Sequence, residues 1–222
     1  NQYQEMQPYL RMSFGIPEDI TAQSYDILGR MQLGLENYAQ AAAAFEKALQ
    51  EKGTDSLRRR AEVFAAQRKF SEAEALLAKA PAEDIYPWID RISVAADQGE
   101  WKDALRSVDA ARKVAKGIEG DPIRLRAFSV TEASLLLATD RKAEAAKVAM
   151  ETARQSLQAL DRDTPADKPD ELGVALSSAL VALRANSGGN SAKEVLNAVD
   201  VRPHFRALPY IAEMQAVVRA WQ

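Results

Sequence analysis

Five sets of three residues repeat one spacing along this chain, and they constrain its fold more than any other feature. In each set a small residue is followed four positions later by a large apolar residue and seven positions later by another small or apolar one. The sets are Ala41/Phe45/Ala48, Ala73/Leu77/Ala80, Ala104/Val108/Ala111, Ala146/Met150/Ala153 and Ala192/Leu196/Val199. Spacings of four and seven place three side chains on one helical stripe, and alternating sizes let a neighbouring helix approach closely. The recurrence predicts a stack of similar helix pairs.

The first pair carries residues specific enough to indicate a family. Its residues follow the order of the tetratricopeptide repeat (TPR), a helix–turn–helix unit of about 34 residues. That order is an aromatic residue, Leu-Gly, Tyr, Ala, Phe and Ala. The matching residues are Tyr25, Leu28, Gly29, Tyr38, Ala41, Phe45 and Ala48. Gln32 and Gly53 depart from the pattern, where the family has an aromatic residue and a closing proline. The segment resembles TPR, which implies an all-α, right-handed α-solenoid of antiparallel helix pairs with divergent later repeats.

The repeat pattern also predicts the domain organisation. A chain of 222 residues suffices for one large domain or two small ones, and a repeat array forms one continuous core without an internal boundary. We therefore predict a single TPR-like domain over 1–222. It comprises a partial N-terminal helix at 1–19, helix pairs at 20–53, 54–82, 83–119, 120–161 and 168–201, and a C-terminal capping helix at 202–222.

Composition excludes several functional classes. With 29 Lys+Arg against 32 Asp+Glu, the chain has no general attraction for nucleic acid or anionic membranes. No apolar run approaches the roughly 18 residues needed to span a bilayer, which predicts a soluble protein without membrane insertion. The absence of cysteine excludes disulfides and thiolate chemistry but fits both a reducing cytoplasm and an oxidising periplasm. The compartment stays open, as does the oligomeric state.

Residues with catalytic or metal-binding potential form no known constellation. His204 is the only histidine, and no H-x-x-x-H spacing or acidic calcium loop accompanies it. No G-x-S-x-G motif is present, and the Gly188-Gly189 pair lacks the Lys-Ser/Thr of a phosphate-binding loop. We therefore expect no metal, no cofactor and no catalytic residue, a structural or surface role for His204, and a turn at Gly188-Gly189.

Two side-chain groups each allow two interpretations. Arg58-Arg59-Arg60 could contact an anion or an acidic peptide, but a solvated helix face offset by Glu62 and neighbouring acids is favoured, because three basic residues are too few for a strong electrostatic footprint. Trp88 and Trp101 could form a ligand platform. Both fall on core positions of the repeat, so packing is the favoured account.

The resemblance to TPR also implies where a partner would bind. In TPR arrays the first helices of successive pairs line a concave groove that holds peptides or partner helices. By register, the groove positions here are Asp26, Arg30 and Leu33, then Arg58, Glu62 and Ala65, then Ile89, Ser93 and Ala96. From these we predict partner binding by Asp26, Arg30, Leu33, Arg58, Glu62 and Ser93. The Lys/Asn clamp of the carboxylate-binding subgroup is replaced by Asp26 and Arg30, so that specificity is not implied.

These observations favour a non-catalytic protein- or peptide-binding scaffold whose partner is unknown. The alternative is a sensory or regulatory TPR-like part of a larger bacterial-type signalling protein, with its effector domain outside this chain. The missing initiator Met and the apparent half-repeat before Pro17 motivate that alternative. An enzyme is the third hypothesis, and no motif with a physical mechanism supports it.

Overall fold

Every regular element in the computed structural model is an α-helix, over the residues it describes: 22–50, 56–117, 122–162, 169–187, 189–201 and 208–221. Eleven helices lie in these ranges. They are α1 Ala22–Gly34, α2 Tyr38–Gln50, α3 Ser56–Ala66, α4 Phe70–Leu77, α5 Ile85–Asp97, α6 Trp101–Gly117, α7 Pro122–Ala138, α8 Lys142–Arg162, α9 Pro169–Arg184, α10 Gly189–Asp200 and α11 Pro209–Trp221. The predicted all-α class is confirmed. The partial helix predicted at 1–19 and His204 lie outside the described residues.

The helices pack mainly with their neighbours in sequence. Each predicted pair range holds two helices, from α1 and α2 in 20–53 to α9 and α10 in 168–201, and α11 lies in 202–222. Alternate helices also touch, since α3 contacts α5, α7 contacts α9, α8 contacts α10 and α9 contacts α11. Contacts between alternate helices are what layered helix pairs require, so the packing is consistent with a helical repeat.

Contacts between residues divide the chain into two compact units, 1–98 and 99–222. Unit 1 contains α1 to α5, and unit 2 contains α6 to α11. The boundary falls between the two helices of the range 83–119 that the sequence assigned to the third pair. The prediction of a single domain stays a prediction. Among the described helices, none combines the length and apolar composition that crossing a bilayer would require.

One turn geometry recurs after the first helix of each pair. Five residues with positive φ, the left-handed region, occupy the same place in these turns: Glu36, Arg68, Gly99, Asp140 and Asn186, with φ between 59° and 75°. In four turns the next residue donates its backbone N–H to the carbonyl five residues back, as Asn37 does to Gln32 at 2.8 Å and Lys69 to Phe64 at 2.8 Å. This is the Schellman motif that ends a helix. Its recurrence shows that the pairs share local structure as well as composition.

The turns correct the sequence register in the fourth pair. Residues 36, 68, 99, 140 and 186 are 32, 31, 41 and 46 apart, whereas the small-residue sets gave 32, 31, 42 and 46. Ala41, Ala73 and Ala104 each follow the left-handed residue by five positions, and so does Ala145. Ala145 is therefore the equivalent of Ala41 in the fourth pair, rather than Ala146. In the fifth pair α10 begins one residue later after its turn, so Ala192 is the fourth residue of its helix, as Ala41 is of α2, and both are fully buried. Composition could not distinguish adjacent alanines, since Ala145 and Ala146 are both buried.

The predicted stripes form much of the core. All members of the five sets are buried except Ala80 and Met150, which are half-buried. The Phe45 ring packs directly on the backbone of Gly29, where an added Cβ would lie 2.3 Å from Phe45 Cε1. Gly29 is thus needed for close approach of α1 and α2, which explains the Leu-Gly pair of the first repeat.

Helix α11 packs on α9 and α10 in unit 2. Ile211 and Val218 are fully buried within the largest apolar cluster of the described residues, and Met214 packs against that cluster. Val217 and Trp221 of the same helix are exposed. The helix therefore presents one apolar stripe to the core and a second one outward.

Candidate functional site

The first helices of unit 1 are joined by a network of ion pairs, here called the polar ladder: Asp26, Arg58, Arg59, Glu62 and Asp90. Arg59 on α3 donates from Nε to Asp26 on α1 at 2.8 Å and from Nη1 to Glu62 at 2.6 Å. Arg58 donates from Nε and Nη2 to the two carboxylate oxygens of Asp90 on α5, at 2.6 and 3.1 Å. The ladder therefore ties α3 to α1 on one side and to α5 on the other.

The favoured interpretation of Arg58-Arg59-Arg60 as a solvated face is wrong for two of the three. The side chains of Arg58 and Arg59 are each only 11% exposed. Arg60 fits the expectation better, being 38% exposed and 3.6 Å from Glu46. Asp26 and Asp90 lie 33 and 32 residues from their arginines. That separation is one repeat, so it places an acid on each adjacent first helix.

Sequence reasoning missed Arg59 and Asp90 as members of this site. The sequence does contain a signal for these contacts. Asp26 lies one repeat before Arg59, and Asp90 lies one repeat after Arg58. This spacing is expected when the first helices of successive pairs lie side by side in parallel. It was not used, because charges were compared only with neighbours on the same helix.

The other predicted site residues of unit 1 fall into different environments. Arg30 is 53% exposed and contacts Asp26 at 2.8 Å, within one helix. Leu33 is half-buried against the cluster of Ala41, Phe45 and Val63. Ser93 is exposed and lies with Glu62 at a cavity of about 250 Å³ between α3 and α5. The remaining lining residues are Ala61, Ala65, Ala66, Asp90, Val94 and Asp97.

Glu62 has the most perturbed acid environment of this cavity. Burial raises the pKa of its carboxyl above the ordinary value of 4.5, and the negative charge of Asp90 adds to that effect. The Arg59 guanidinium acts in the opposite direction without cancelling the shift. Burial disfavours the charged form of this carboxyl, and the Arg59 and Arg58 guanidinium groups offset that effect only in part.

The two tryptophans that were weighed as a ligand platform are each half-buried. In unit 1 the Trp88 indole N–H donates to the Ala82 carbonyl at 3.1 Å, and the Arg91 guanidinium lies 4.7 Å from its ring centre. Trp101 is the first residue of α6 in unit 2. Trp88 is occupied by its own neighbours, which agrees with packing as the favoured account.

Unit 2 carries a larger and more apolar concavity, here called the apolar groove, with a volume of about 530 Å³. Two first helices and the C-terminal helix line it: α7 with Ile123, Arg124, Ala127 and Val130, α9 with Asp170, Gly173, Val174 and Ser177, and α11 with Tyr210 and Met214. On each helix these residues follow helical spacing, so each helix contributes one stripe.

The helices that line the apolar groove run parallel. Ser177 Oγ on α9 lies 4.0 Å from Met214 Sδ on α11. The Arg184 guanidinium lies 5.8 Å from the ring centre of Trp221. Both contacts join residues 37 positions apart, so α9 and α11 keep one parallel register over two turns. Ile123, Asp170 and Tyr210 are each the second residue of their helix and all line the groove. Three helix N-termini therefore lie at the same end of it.

A buried ion pair fixes α7 against α9 behind this groove. Arg126 donates from Nε to Glu171 Oε2 at 2.9 Å, and its Nη2 bonds the other carboxylate oxygen. The Glu171 side chain is fully buried, and that of Arg126 is 14% exposed. As in the polar ladder, an arginine of one first helix here binds an acid of the next first helix.

The polar groups of the apolar groove are few. The Ser177 hydroxyl donates to the Gly173 carbonyl at 2.9 Å. Burial and the charge of Asp170 raise the pKa of the Tyr210 hydroxyl, so it is neutral at physiological pH. No cluster of His, Cys, Asp or Glu suited to a metal ion occurs among the described residues. The groove is suited to holding an apolar surface.

Sequence reasoning missed the apolar groove because it named groove positions only in the first three pairs. The available signal was the composition of α7, whose apolar side chains surround the whole helix instead of forming one stripe. A helix of that kind has two faces to cover. Here one face contributes the buried Phe128, Ala133 and Leu136, and the other lines the groove.

The chain matches no family model, and no curated protein matches it.

Proposed function

We propose that the chain is a non-catalytic scaffold with a TPR-like, right-handed arrangement of helix pairs, and that it binds a protein or peptide on the first-helix face. The observation that carries the proposal is the apolar groove of about 530 Å³ along α7, α9 and α11. Exposed apolar surfaces of soluble proteins mark binding sites more often than random surface does.

The chemistry of the groove favours binding over catalysis. General acid–base work needs a group whose pKa lies near the working pH, within hydrogen-bond reach of a reacting group. Among the described lining residues, Ser177 already donates its hydroxyl to a backbone carbonyl. The lining supplies shape and apolar contact.

The proposal is tested by selecting random peptides of about 16 residues against the intact chain and measuring their affinity for two variants. Ala127→Glu places a charge inside the groove at an exposed position of α7. Ala138→Glu makes the same change at an exposed position of the same helix outside it. We expect Ala127→Glu to weaken binding at least about tenfold, because the carboxylate would be desolvated by the ligand, and Ala138→Glu to change it little.

Two results would overturn this function. One is a selection that yields no peptide above background with a chain of native helicity. The other is equal affinity of the selected peptides for wild type, Ala127→Glu and Ala138→Glu, which would place binding away from the groove.

The residues predicted in unit 1 offer a second contact surface. Arg58 is paired with Asp90 on α5 and Glu62 with Arg59 on its own helix, so Arg30 and Ser93 are the exposed members that a partner could touch. A partner bound there should lose affinity with Arg30→Glu at unchanged helicity. Arg58→Glu is unsuitable for this test, because it would leave Asp90 beside a second negative charge.

A second candidate function is a sensory or regulatory segment of a larger signalling protein. The division into two compact units favours it, because a regulatory segment needs one surface for its ligand and another for its effector. The complete reading frame decides between the two. A cyclase, kinase or DNA-binding domain beside this segment supports regulation, and a stand-alone frame supports the scaffold.

A further inference from the structure

We propose that the occupant of the apolar groove is an amphipathic helix that runs antiparallel to α7, α9 and α11, with an acidic C-terminal end beside Arg124. The inference rests on the proposed function, because it specifies the ligand of the same groove. Its argument has three steps, which concern the length of the apolar surface, the backbone of the ligand and the direction of the helix dipoles.

The apolar surface extends beyond the groove along α11. Tyr210, Met214, Val217 and Trp221 are spaced by four, three and four residues, so they lie on one side of the helix. Tyr210 and Met214 line the groove, and Tyr210, Val217 and Trp221 are 41%, 42% and 55% exposed. The eleven residue steps from Tyr210 to Trp221 measure about 16 Å along the helix axis. The surface is thus a straight strip about three helical turns long.

A helix suits this strip better than an extended peptide does. An extended ligand would bury backbone N–H and C=O groups against apolar side chains, and each unpaired group would cost free energy. Along most of its length the lining offers few partners for them, since the Ser177 hydroxyl already donates to Gly173 and the other polar groups, on Arg124, Asp170 and Tyr210, belong to the first turns of their helices. A helix pairs its own backbone groups and presents only side chains, as in other helix-in-groove complexes.

The charges at the two ends of the groove set the direction. The N-termini of α7, α9 and α11 meet at the end that contains Ile123, Asp170 and Tyr210, and each carries about half a positive charge. Arg124 adds a full positive charge there, and Asp170 offsets one. The balance is positive, so the negative end of a bound helix dipole, with acidic side chains, is favoured at this end.

The experiment uses peptides selected against the intact chain that lose affinity with Ala127→Glu. Each is synthesised with the photoreactive residue benzoylphenylalanine at either its N- or its C-terminal end, and the attachment sites are mapped by mass spectrometry. We expect the C-terminal probe to attach near Ile123 and Tyr210 and the N-terminal probe near Val217 and Trp221. The opposite assignment, or attachment of both probes to both ends, overturns the proposed direction.

A second measurement tests the charge. Replacing acidic residues at the C-terminal end of the peptide by their amides should weaken binding about two- to fivefold, the range expected for a charge at a helix terminus. Arg124→Gln should weaken binding of the acidic peptide similarly and that of the amide peptide less. Lys193→Gln, at an exposed position of α10, is the matched control. Selected peptides with basic residues at that end would refute the inference and leave the scaffold function intact, whereas failure of the selection refutes the function itself.

Discussion

At the scale of single residues, two glutamates paired with arginines differ in how much they contribute to stability. Glu171 is fully buried against Arg126, whereas Glu144 is exposed beside Arg141. Removing one partner of a buried ion pair costs about 3–5 kcal/mol. Exposed pairs contribute little, because water screens them. We expect Glu171→Ala to destabilise unit 2 by that amount in chemical denaturation and Glu144→Ala to have little effect. Equal effects of the two variants would contradict the buried role of Arg126–Glu171.

Gly29 gives a second residue-scale prediction. Its missing side chain lets the Phe45 ring lie where a Cβ would be only 2.3 Å from Cε1. Gly29→Ala should therefore force the ring aside and lower the free energy of unfolding by about 1–3 kcal/mol, the usual cost of overpacking. Gly117→Ala is the control, since a Cβ there meets nothing within 4 Å. A Gly29→Ala variant as stable as wild type would show that the ring is free to move.

Glu62 predicts a pH dependence. Its pKa is raised above 4.5 in the folded chain, mainly by burial. Between pH 4.5 and the folded pKa the native state holds more protons than the unfolded state, so the free energy of unfolding falls as pH rises. Glu62→Gln does not titrate. The unfolding free energy of the variant minus that of wild type should increase with pH from 4.5 and become constant above the folded pKa. A difference that is flat or decreases would contradict the burial argument.

At the scale of elements, the recurrent turn carries a measurable cost. Arg68 adopts φ 60° in the turn between α3 and α4, a conformation that costs a residue with a Cβ about 1–2 kcal/mol. Glycine avoids that cost but loses about 0.5–1 kcal/mol through chain entropy. We expect Arg68→Gly to stabilise the chain slightly, by about 0.5 kcal/mol, in thermal or chemical denaturation. Gln67→Gly, one residue earlier at negative φ, should destabilise it. The reverse order of the two variants would show that the turn is not under strain.

The same turns show which parts of the structure the sequence could predict. Helix pairs, their turns and most of the buried stripe follow from local spacing, because apolar periodicity determines which helix face is covered. Register was lost where alanines are adjacent, as at Ala145 and Ala146, since either can fill the same small space. Arg59 and Asp90 were missed because their contacts, with Asp26 on α1 and with Arg58 on α3, depend on how α3 aligns with α1 and α5. The apolar groove depends on three helices at once, which no local pattern describes.

At the scale of the whole molecule, the two units use their first-helix faces differently. In unit 1, arginines and acids of neighbouring first helices bind each other, and the cavity left between α3 and α5 is about 250 Å³. In unit 2 the corresponding ion pair of Arg126 and Glu171 is buried behind the face. Apolar residues are left to line a groove of about 530 Å³. The position of the charged pairs thus decides which unit has an apolar surface to offer a partner.

A stack of helix pairs also predicts how a local change spreads. In unit 2, α11 packs on α9 and α10, and α6 packs on α7. Val218 on α11 is fully buried, so Val218→Ala should remove about 1–3 kcal/mol of local stability. If the stability of the stack depends on nearest neighbours, hydrogen-exchange protection should fall most in α9, α10 and α11 and least in α6. Val217→Ala, at an exposed position of the same helix, should change protection little. An equal loss of protection from α6 to α11 in the Val218 variant would instead mean that unit 2 unfolds as one cooperative body.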